Sequence, residues 1–492
     1  MSSGIVSQSK WHPYLLLAGV VLLSRLPFIF DGHGHEEDSY GLVVNAWEMH
    51  STGHYVASRF PGHPFQEYLY LLIWNQPAWI WNLFSTIFSI VAVLAFHRAL
   101  KKIGMNQAIE ASLILAFTPI FFNSGTYTID YAWSLAFVLL SFSSLVESKF
   151  WWSGIFLGIA VGCRITSGIF IVPWALLIFQ RMDMKTWINW TLKICIPFGV
   201  ISVLFFVPAF MQYGTSFFDY SDQFPYPPMT KIIYKGTIGV FGILGLLGIF
   251  IAKCRWLFSK EKNVINAPSI VTPRRLLWFV LIICILHVIS YLRLPQKAGY
   301  MLPIVPFVIM MVMMYTPIRT MRIVTILFLL SPFLLGMNIT DELRGSGSSA
   351  LSVKFNVSGQ EISFDAIRGP ALAEQQKRRN KIEYVSRVCD FLDTSSHRQI
   401  LICGWWYNQI LVERASRSGF YTEDQNLFTS YGSIGQSSLV FYEACDLLED
   451  KKTSVTDPEE VTIYYLPEQD LYNDQMFNQS CTNAIAQPIP VK

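Results

Sequence analysis

Long apolar runs leave this chain few choices of fold. Stretches at about 12–30, 77–97, 108–123, 128–146, 187–210, 232–252, 275–292, 300–315 and 320–337 approach the roughly 20 residues that a helix needs to cross a bilayer. Two shorter ones cover about 151–163 and 165–180. Of the 492 residues 52% are hydrophobic and only 14% charged, and the mean hydropathy is +0.38. A soluble globule carries about 25% charged residues. The expectation is a mainly α polytopic membrane protein of about eleven transmembrane helices. The first run ends in "SRLPFIFDG" without a small-residue cleavage site, so it is expected to stay as a helix.

Basic residues orient the helices. With Lys10 in the cytoplasm, Lys101, Lys102, Lys149, Arg181, Lys185, Lys253, Arg255, Lys260, Lys262, Arg274, Arg275, Arg319 and Arg322 all fall in cytoplasmic loops. This requires residues 151–180 to be a hairpin bent near "GCRITSG", because a single helix would throw the later basic clusters outside. The loop after the first helix and everything beyond about Met337 then face the exterior. The net charge of +3 gives no reason to expect a nucleic-acid partner; the bilayer is the expected one.

The chain divides into a transmembrane domain, 1–340, and an exterior domain, 341–492. The second is polar, and "DELRGSGSSALS" reads as its linker. "ALAEQQKRRNKIEYVSRVCDFLD" has helical period, while "QILICGWW" and "VTIYYLP" read as buried strands, so a small α/β domain is predicted. Cys389, Cys403, Cys445 and Cys481 fall here, where an oxidising compartment would permit one or two disulfides. Asn338, Asn356 and Asn478 begin N-x-[ST] matches, as does Asn189 on the opposite side, so these matches decide little.

Residues 31–67 are unlike their surroundings. "DGHGHEEDSYGLVVNAWEMHSTGHYVASRFPGHPFQEY" holds Asp31, Glu36, Glu37 and Asp38 with five of the nine histidines. "SYGLVVNAWEMH" predicts an amphipathic helix lying along the membrane surface. "SRFPGHPFQEY" predicts an irregular turn, with Pro61 and Pro64 blocking helix. Carboxylates at this boundary can meet a substrate whose head is polar and whose tail stays in lipid.

These residues resemble the GT-C superfamily of membrane glycosyltransferases, in its protein mannosyltransferase and aminoarabinose transferase-like branch. There an Asp opens the motif of the first exterior loop, with a small residue eight positions later and a Gly fifteen later. Asp38, Ala46 and Gly53 match, with Met49 in a familiar place. The acidic residue that usually follows the Asp is Ser39 here, and Glu36 and Glu37 precede it instead. "TPIFFNSGTYTIDYAWSL", "WWSGIFLGIAVGCRITSGIFIVPW" and "LPQKAGYMLPIVPF" resemble later corners of the same superfamily, in order and sidedness, across roughly residues 10–340.

The resemblance implies a GT-C-like fold and an inverting transfer of sugar from a polyprenyl-phosphate donor to a protein, lipid or glycan acceptor on the exterior side. It implies Asp38 as the catalytic base, with Glu37 and Glu36 as further candidates. A carboxylate can take the acceptor's proton, and cations can meet the departing phosphate. The candidate substrate-binding set is Arg59, His63, Glu67, Asp130, Arg164, Arg293, Lys297 and Tyr300. No cofactor is demanded by the residues, although a divalent cation (Mg or Mn) held by carboxylates fits some relatives. A bacterial inner membrane is favoured over endoplasmic reticulum, since the inserted domain of eukaryotic mannosyltransferases is missing.

Each assignment has a structural rival. Asp38 would serve as a helix cap, Asp130 as a cap for the fourth helix, Lys297 as an interfacial snorkelling residue, and Arg25 as the partner of a loop carboxylate. Arg164 at membrane depth is the hardest to explain structurally. His33, His35, His50, His54 and His63 invite a zinc or manganese reading, but no HExxH occurs. The rival function is a transporter or flippase for lipid-linked saccharides, although no internal repeat is evident. A third is an assembly or receptor protein.

Overall fold

The computed structural model describes residues 11–179, 183–216, 226–258, 273–339, 349–357, 360–394, 398–417, 438–441, 461–466, 486–488 and 490. Lys10, Arg181, Lys260, Lys262, Cys445, Cys481, Asn478 and most of the predicted linker lie outside them.

The chain runs through α1 (His12–Arg25), α2 (Glu37–Thr52), α3 (Pro64–Leu71), α4 (Ala78–Ile103), α5 (Ala108–Ala116), α6 (Pro119–Ser124), α7 (Tyr131–Val146) and α8 (Phe150–Cys163). It continues with α9 (Ile171–Phe179), α10 (Met184–Tyr213), α11 (Met229–Gly236), α12 (Ile238–Phe258), α13 (Pro273–Arg293), α14 (Val305–Tyr315) and α15 (Ile318–Leu330). Each predicted apolar run contains helix. Five stretches among the described residues are long and apolar enough to cross a membrane: Ala78–Ile103, Met184–Tyr213, Ile238–Leu257, Arg274–Arg293 and Ala298–Tyr315. The protein is a multi-pass membrane protein.

Proline explains where the runs depart from expectation. The predicted 108–123 helix breaks at Thr118, and Pro119 opens α6, where its missing N–H costs nothing. The predicted 320–337 helix stops at Leu330; Pro332 follows, and the chain turns into a strand. Pro64, expected to block helix, starts α3 for the same reason as Pro119.

The 151–180 segment is interrupted where a bend was expected, near "GCRITSG". Helix α8 ends at Cys163, Arg164 is extended (φ −153°, ψ 118°), and a 3-10 turn, Ile165–Phe170, leads into α9. Gly154, Gly158 and Gly162 form a seam four residues apart along α8, where α10 comes close. A side chain at Gly158 would lie 2.7 Å from Ile201, and one at Gly162 as near to Phe205. Small residues at such spacing let two helices approach backbone to backbone. At the other end of α7 and α8, Glu147 pairs with Arg98 and with Lys149 (2.8 Å).

Beyond α15 the chain forms two sheets. Strands β1 (Gly336–Ile339), β2 (Ser352–Val357) and β3 (Gln360–Asp365) make an antiparallel sheet in the order β1-β3-β2. Helix α16 (Pro370–Thr394) follows, as its periodicity predicts. Then come β4 (Arg398–Ile402), α17 (Tyr407–Arg417), β5 (Ser438–Phe441), β6 (Val461–Tyr465) and β7 (Ala486–Pro488), with a parallel sheet in the order β5-β4-β6-β7. "QILICGWW" and "VTIYYLP" supply its central strands, β4 and β6. Val385, Val388, Cys389 and Leu392 of α16 bury against Leu401, Cys403, Ile410 and Leu466. Cys389 and Cys403 are both buried there.

Candidate active site

Helix α2 is built by its own ends. Glu36 is the N-cap, in extended backbone (φ −89°, ψ 146°), and makes no side-chain cap bond. Gly53 closes the helix in the left-handed region (φ 69°), where glycine carries no Cβ penalty. Ala46 between them is fully buried. The Asp38–Ala46–Gly53 spacing is thus the first turn, the core face and the stop of one helix. Most of its length is buried, and α17 packs against it.

Asp38 is not a cap. Its carboxylate turns to Lys297 and Arg59, and both donate to Oδ2. Lys297 also donates to Glu36 (2.6 Å). The other branch of the Arg59 guanidinium donates to Asp130 Oδ1 (2.5 Å), and Arg164 donates to Asp130 Oδ2. The result is one ionic chain, Glu36–Lys297–Asp38–Arg59–Asp130–Arg164. Three carboxylates alternate with three cations, so the formal charge cancels.

The members come from four places in the sequence. Asp130 is the residue before α7, Arg164 the hairpin bend, and Lys297 the residue before a 3-10 turn, Ala298–Ile304. Asp130 sits at a cap position yet makes no side-chain cap bond, since both its oxygens serve arginines.

Exposure separates the two aspartates. The Asp38 side chain is 19% accessible, whereas that of Asp130 is sealed at 0%. A substrate group can reach Asp38 and not Asp130. Burial alone would raise the Asp38 carboxyl, but Arg59 and Lys297 outweigh it and hold the group well below the ordinary carboxylate range.

Glu67 and His63 do a different job. Glu67 is completely buried, and its oxygens accept from Tyr55 Oη (2.6 Å), Ser58 N (2.8 Å), Ser58 Oγ (2.6 Å) and His63 N (3.1 Å). It ties together the turn that carries Arg59. Gly62 in that turn has φ 95°, which only glycine adopts freely. His63 Nε2 accepts from Arg59 Nε (2.9 Å), so its proton sits on Nδ1, which donates to the Cys163 carbonyl (2.5 Å). Burial pushes the imidazole down to about 4, so it is neutral. His63 therefore links the acidic loop to the hairpin bend.

Tyr300 and an unforeseen neighbour, Tyr131, flank Arg164. The guanidinium carbon lies 4.5 Å from the Tyr131 ring centre and 5.1 Å from that of Tyr300. Gly299 lies flat against Tyr131; a Cβ there would collide with the ring. Arg293 is exposed at the end of α13 and stays out of the ionic chain. Glu37 also stays out. Its Oε1 accepts a long bond from Asn408 N (3.4 Å), and Oε2 is buried without a partner. Burial raises this carboxyl to about 8.

Arg25 does not pair with a loop carboxylate. It is fully buried beside Phe117, Phe121 and Phe122, and it donates to the Ala116 carbonyl at the end of α5. A cation there suits the helix dipole where α5 breaks.

The histidines scatter. His33 meets Thr128 (3.3 Å), His35 meets Glu374, and His50 stacks on Trp74 with ring centres 4.0 Å apart. Among the described residues no three His, Cys, Asp or Glu side chains converge as metal ligands. Glu36 and Asp38 both accept from the Lys297 ammonium.

Sequence reasoning missed the role of α16. Arg378, buried, donates to the carbonyls of Phe28 (3.0 Å) and Thr126 (3.2 Å). Glu374 bonds His35, Lys381 donates to the His35 carbonyl (2.8 Å), and Arg379 and Gln375 bond Asp31 (2.6 and 2.7 Å). Burial would raise the Glu374 carboxyl, but the bond to His35 and the charges around it, Arg378 and Lys377 included, bring it down to about 2. Helix α16 thus grips the start of the acidic loop and the loop leading to Asp130. The only signal in the sequence was an i,i+4 Glu–Arg pair on a polar helix.

No family model matches the sequence, and no curated protein matches it. Solved structures do. The chain is similar to ArnT from Cupriavidus metallidurans bound to undecaprenyl phosphate, at 15% identity and a TM-score of 0.45, over 62% of this chain and 60% of that one. The apo form of the same protein gives 15% and 0.41, over 61% and 58%. An oligosaccharyltransferase from Archaeoglobus fulgidus, tethered to an acceptor peptide, gives 9% and 0.41, over 82% and 63%. The match spans less than two thirds of each of those chains. At such identities and scores, what this protein does has to be read from its own side chains.

Proposed function

We propose that this protein is an inverting glycosyltransferase. It moves a sugar from a polyprenyl-phosphate donor to an acceptor at the outer face of a membrane, a bacterial inner membrane being the expected setting. One observation carries the reading: Asp38 is an accessible carboxylate bonded to two cations in a cluster beside apolar helices. The phosphate of the donor meets Lys297, Arg59 and Arg164, and its tail stays among lipid.

The chemistry balances on these groups. A lone pair of an acceptor hydroxyl or amide attacks the anomeric carbon from the face opposite the phosphate. The bond from that carbon to the phosphate oxygen breaks, and its electron pair leaves with the phosphate. The acceptor's proton passes to the Asp38 carboxylate. The phosphate gains one negative charge as it departs, and the cations that meet it favour that change. As Lys297 and Arg59 turn towards the phosphate, Asp38 loses the partners that keep it a weak base. Asp130 holds Arg59 and Arg164 in place from behind. No step here needs a metal.

The test is direct. Purified protein in lipid is given radiolabelled polyprenyl-phosphate sugars and a membrane extract as source of acceptors. Transfer by the wild type, lost in Asp38→Asn, supports the reading. Passage of the intact donor across the bilayer without transfer would make the protein a flippase instead.

A further inference from the structure

We propose that the β1-β3-β2 sheet is a membrane-interface anchor, with its apolar face seated at the lipid boundary on the side of the acidic loop. The inference depends only on the membrane reading, and not on sugar transfer.

Register sorts the sheet into two faces. Met337, Phe364 and Val353 stand opposite one another across the three strands, as do Ile339, Ile362 and Phe355. Residues paired in this way share one face of a sheet. Asn338, Ser363 and Lys354 occupy the other, where Lys354 pairs with Glu361 (3.0 Å). One face is therefore wholly apolar at these positions and the other polar. The β1 and β3 side of the apolar face is covered, since Ile339 and Ile362 are buried. The edge strand β2 is not: Val353 is 60% exposed and Phe355 44%, and Leu351 just before it 57%.

Continuity identifies what covers them. Ile323, Ile326 and Leu330 are exposed along α15, a helix of a multi-pass membrane protein, and Leu334 extends that line. The backbone then joins the helix end to the sheet. Leu335 N donates to the Ala366 carbonyl (3.4 Å), and Ala366 N donates to the Leu351 carbonyl (3.3 Å). Ile367, also exposed, is the next residue. Exposed apolar residues thus stand at each step of this path, from α15 through Leu334 and Ile367 to Leu351 and β2. A row of three large apolar side chains facing water would be a liability on an edge strand. Facing lipid, it is a foothold. The anchor lies at the root of α16, so it fixes the helix that holds the acidic loop.

The test uses the whole chain in lipid nanodiscs. One sample carries a lipid with a photoactivatable carbene precursor on its acyl chain, and a second receives a water-soluble carbene precursor. Label is read by peptide mass spectrometry over residues 349–365. The expected result is alternation: the lipid reagent marks Leu351, Val353 and Phe355 several-fold more than Lys354 and Asn356, and the aqueous reagent does the reverse. Equal marking of both sets by the lipid reagent would overturn the proposal. So would protection of the apolar set from both reagents, which would mean that a protein surface or a second copy covers it.

Discussion

Asp38 and Asp130 share one guanidinium, that of Arg59, which reaches the first with one nitrogen and the second with another. The two carboxylates are chemically alike and differ in access, so the same substitution should have different consequences at each. Asp38→Asn should fold normally and lose transfer by about a hundredfold or more, the scale of a missing general base. Asp130→Asn leaves the partly buried Arg59 and Arg164 beside a fully buried neutral group. It should cost about 3–5 kcal/mol of stability, as for a broken buried ion pair. Activity per folded molecule and thermal unfolding in detergent, measured on both variants, separate the two. Full specific activity in Asp38→Asn with loss in Glu36→Gln would move the base one residue upstream of α2.

Gly299→Ala should act on donor binding. The added methyl meets the Tyr131 ring, so the segment carrying Lys297 and Tyr300 must move. Overpacking of this kind costs about 1–3 kcal/mol. Because Lys297 is then misplaced, KM for the lipid donor should rise more than kcat falls. An unchanged KM would mean that the segment relaxes without disturbing the lysine.

Glu37 gives a pH signature. Its carboxyl rises from an ordinary 4.5 to about 8 in the folded protein because burial disfavours the charge. Between those values the folded state holds a proton that the unfolded state has released. This contribution therefore weakens stability as pH rises from about 4.5 to about 8. Glu37→Gln should remove it, so melting temperatures of variant and wild type should diverge towards pH 8, with the variant higher. A constant difference between pH 5 and pH 8 would rule the effect out.

Arg378→Ala should loosen the acidic loop from above. The substitution leaves the carbonyls of Phe28 and Thr126 without their donor, in a buried place. Hydrogen exchange in deuterated buffer should quicken in 31–38 and 370–394 together, and transfer should drop although Asp38 is untouched. Arg378→Lys should not restore it, because one ammonium cannot reproduce a forked guanidinium. Faster exchange in α16 alone would show that the loop holds itself.

Much of this was legible in the sequence because it is local. The apolar runs and the helix at "SYGLVVNAWEMH" each follow from residues within a turn or two, while the break at Arg164 was legible only from the sidedness of the basic loops. The ends of α5 and α15 were misplaced because hydropathy outweighed Pro119 and Pro332 in the reading. What the sequence hid is long-range pairing. Lys297 was expected to meet the donor, but nothing local says that it rests between Glu36 and Asp38, some 260 residues away. Glu67 looked like a ligand because a carboxylate near a site usually does, and only the four donors around it reveal a brace. The sheet at 336–365 was missed because β1 continues an apolar run and β2 alternates too briefly to stand out.

The alternating charges have a consequence for idle molecules. Any enzyme that activates a nucleophile beside a labile sugar phosphate risks spending it on water. In this protein the Asp38 carboxylate is held by two cations, Arg59 and Lys297. On the proposed mechanism a molecule without donor has no competent base, and one with donor acquires it only as the phosphate settles. Wasteful hydrolysis is then suppressed by charge neutrality within the cluster, without a lid.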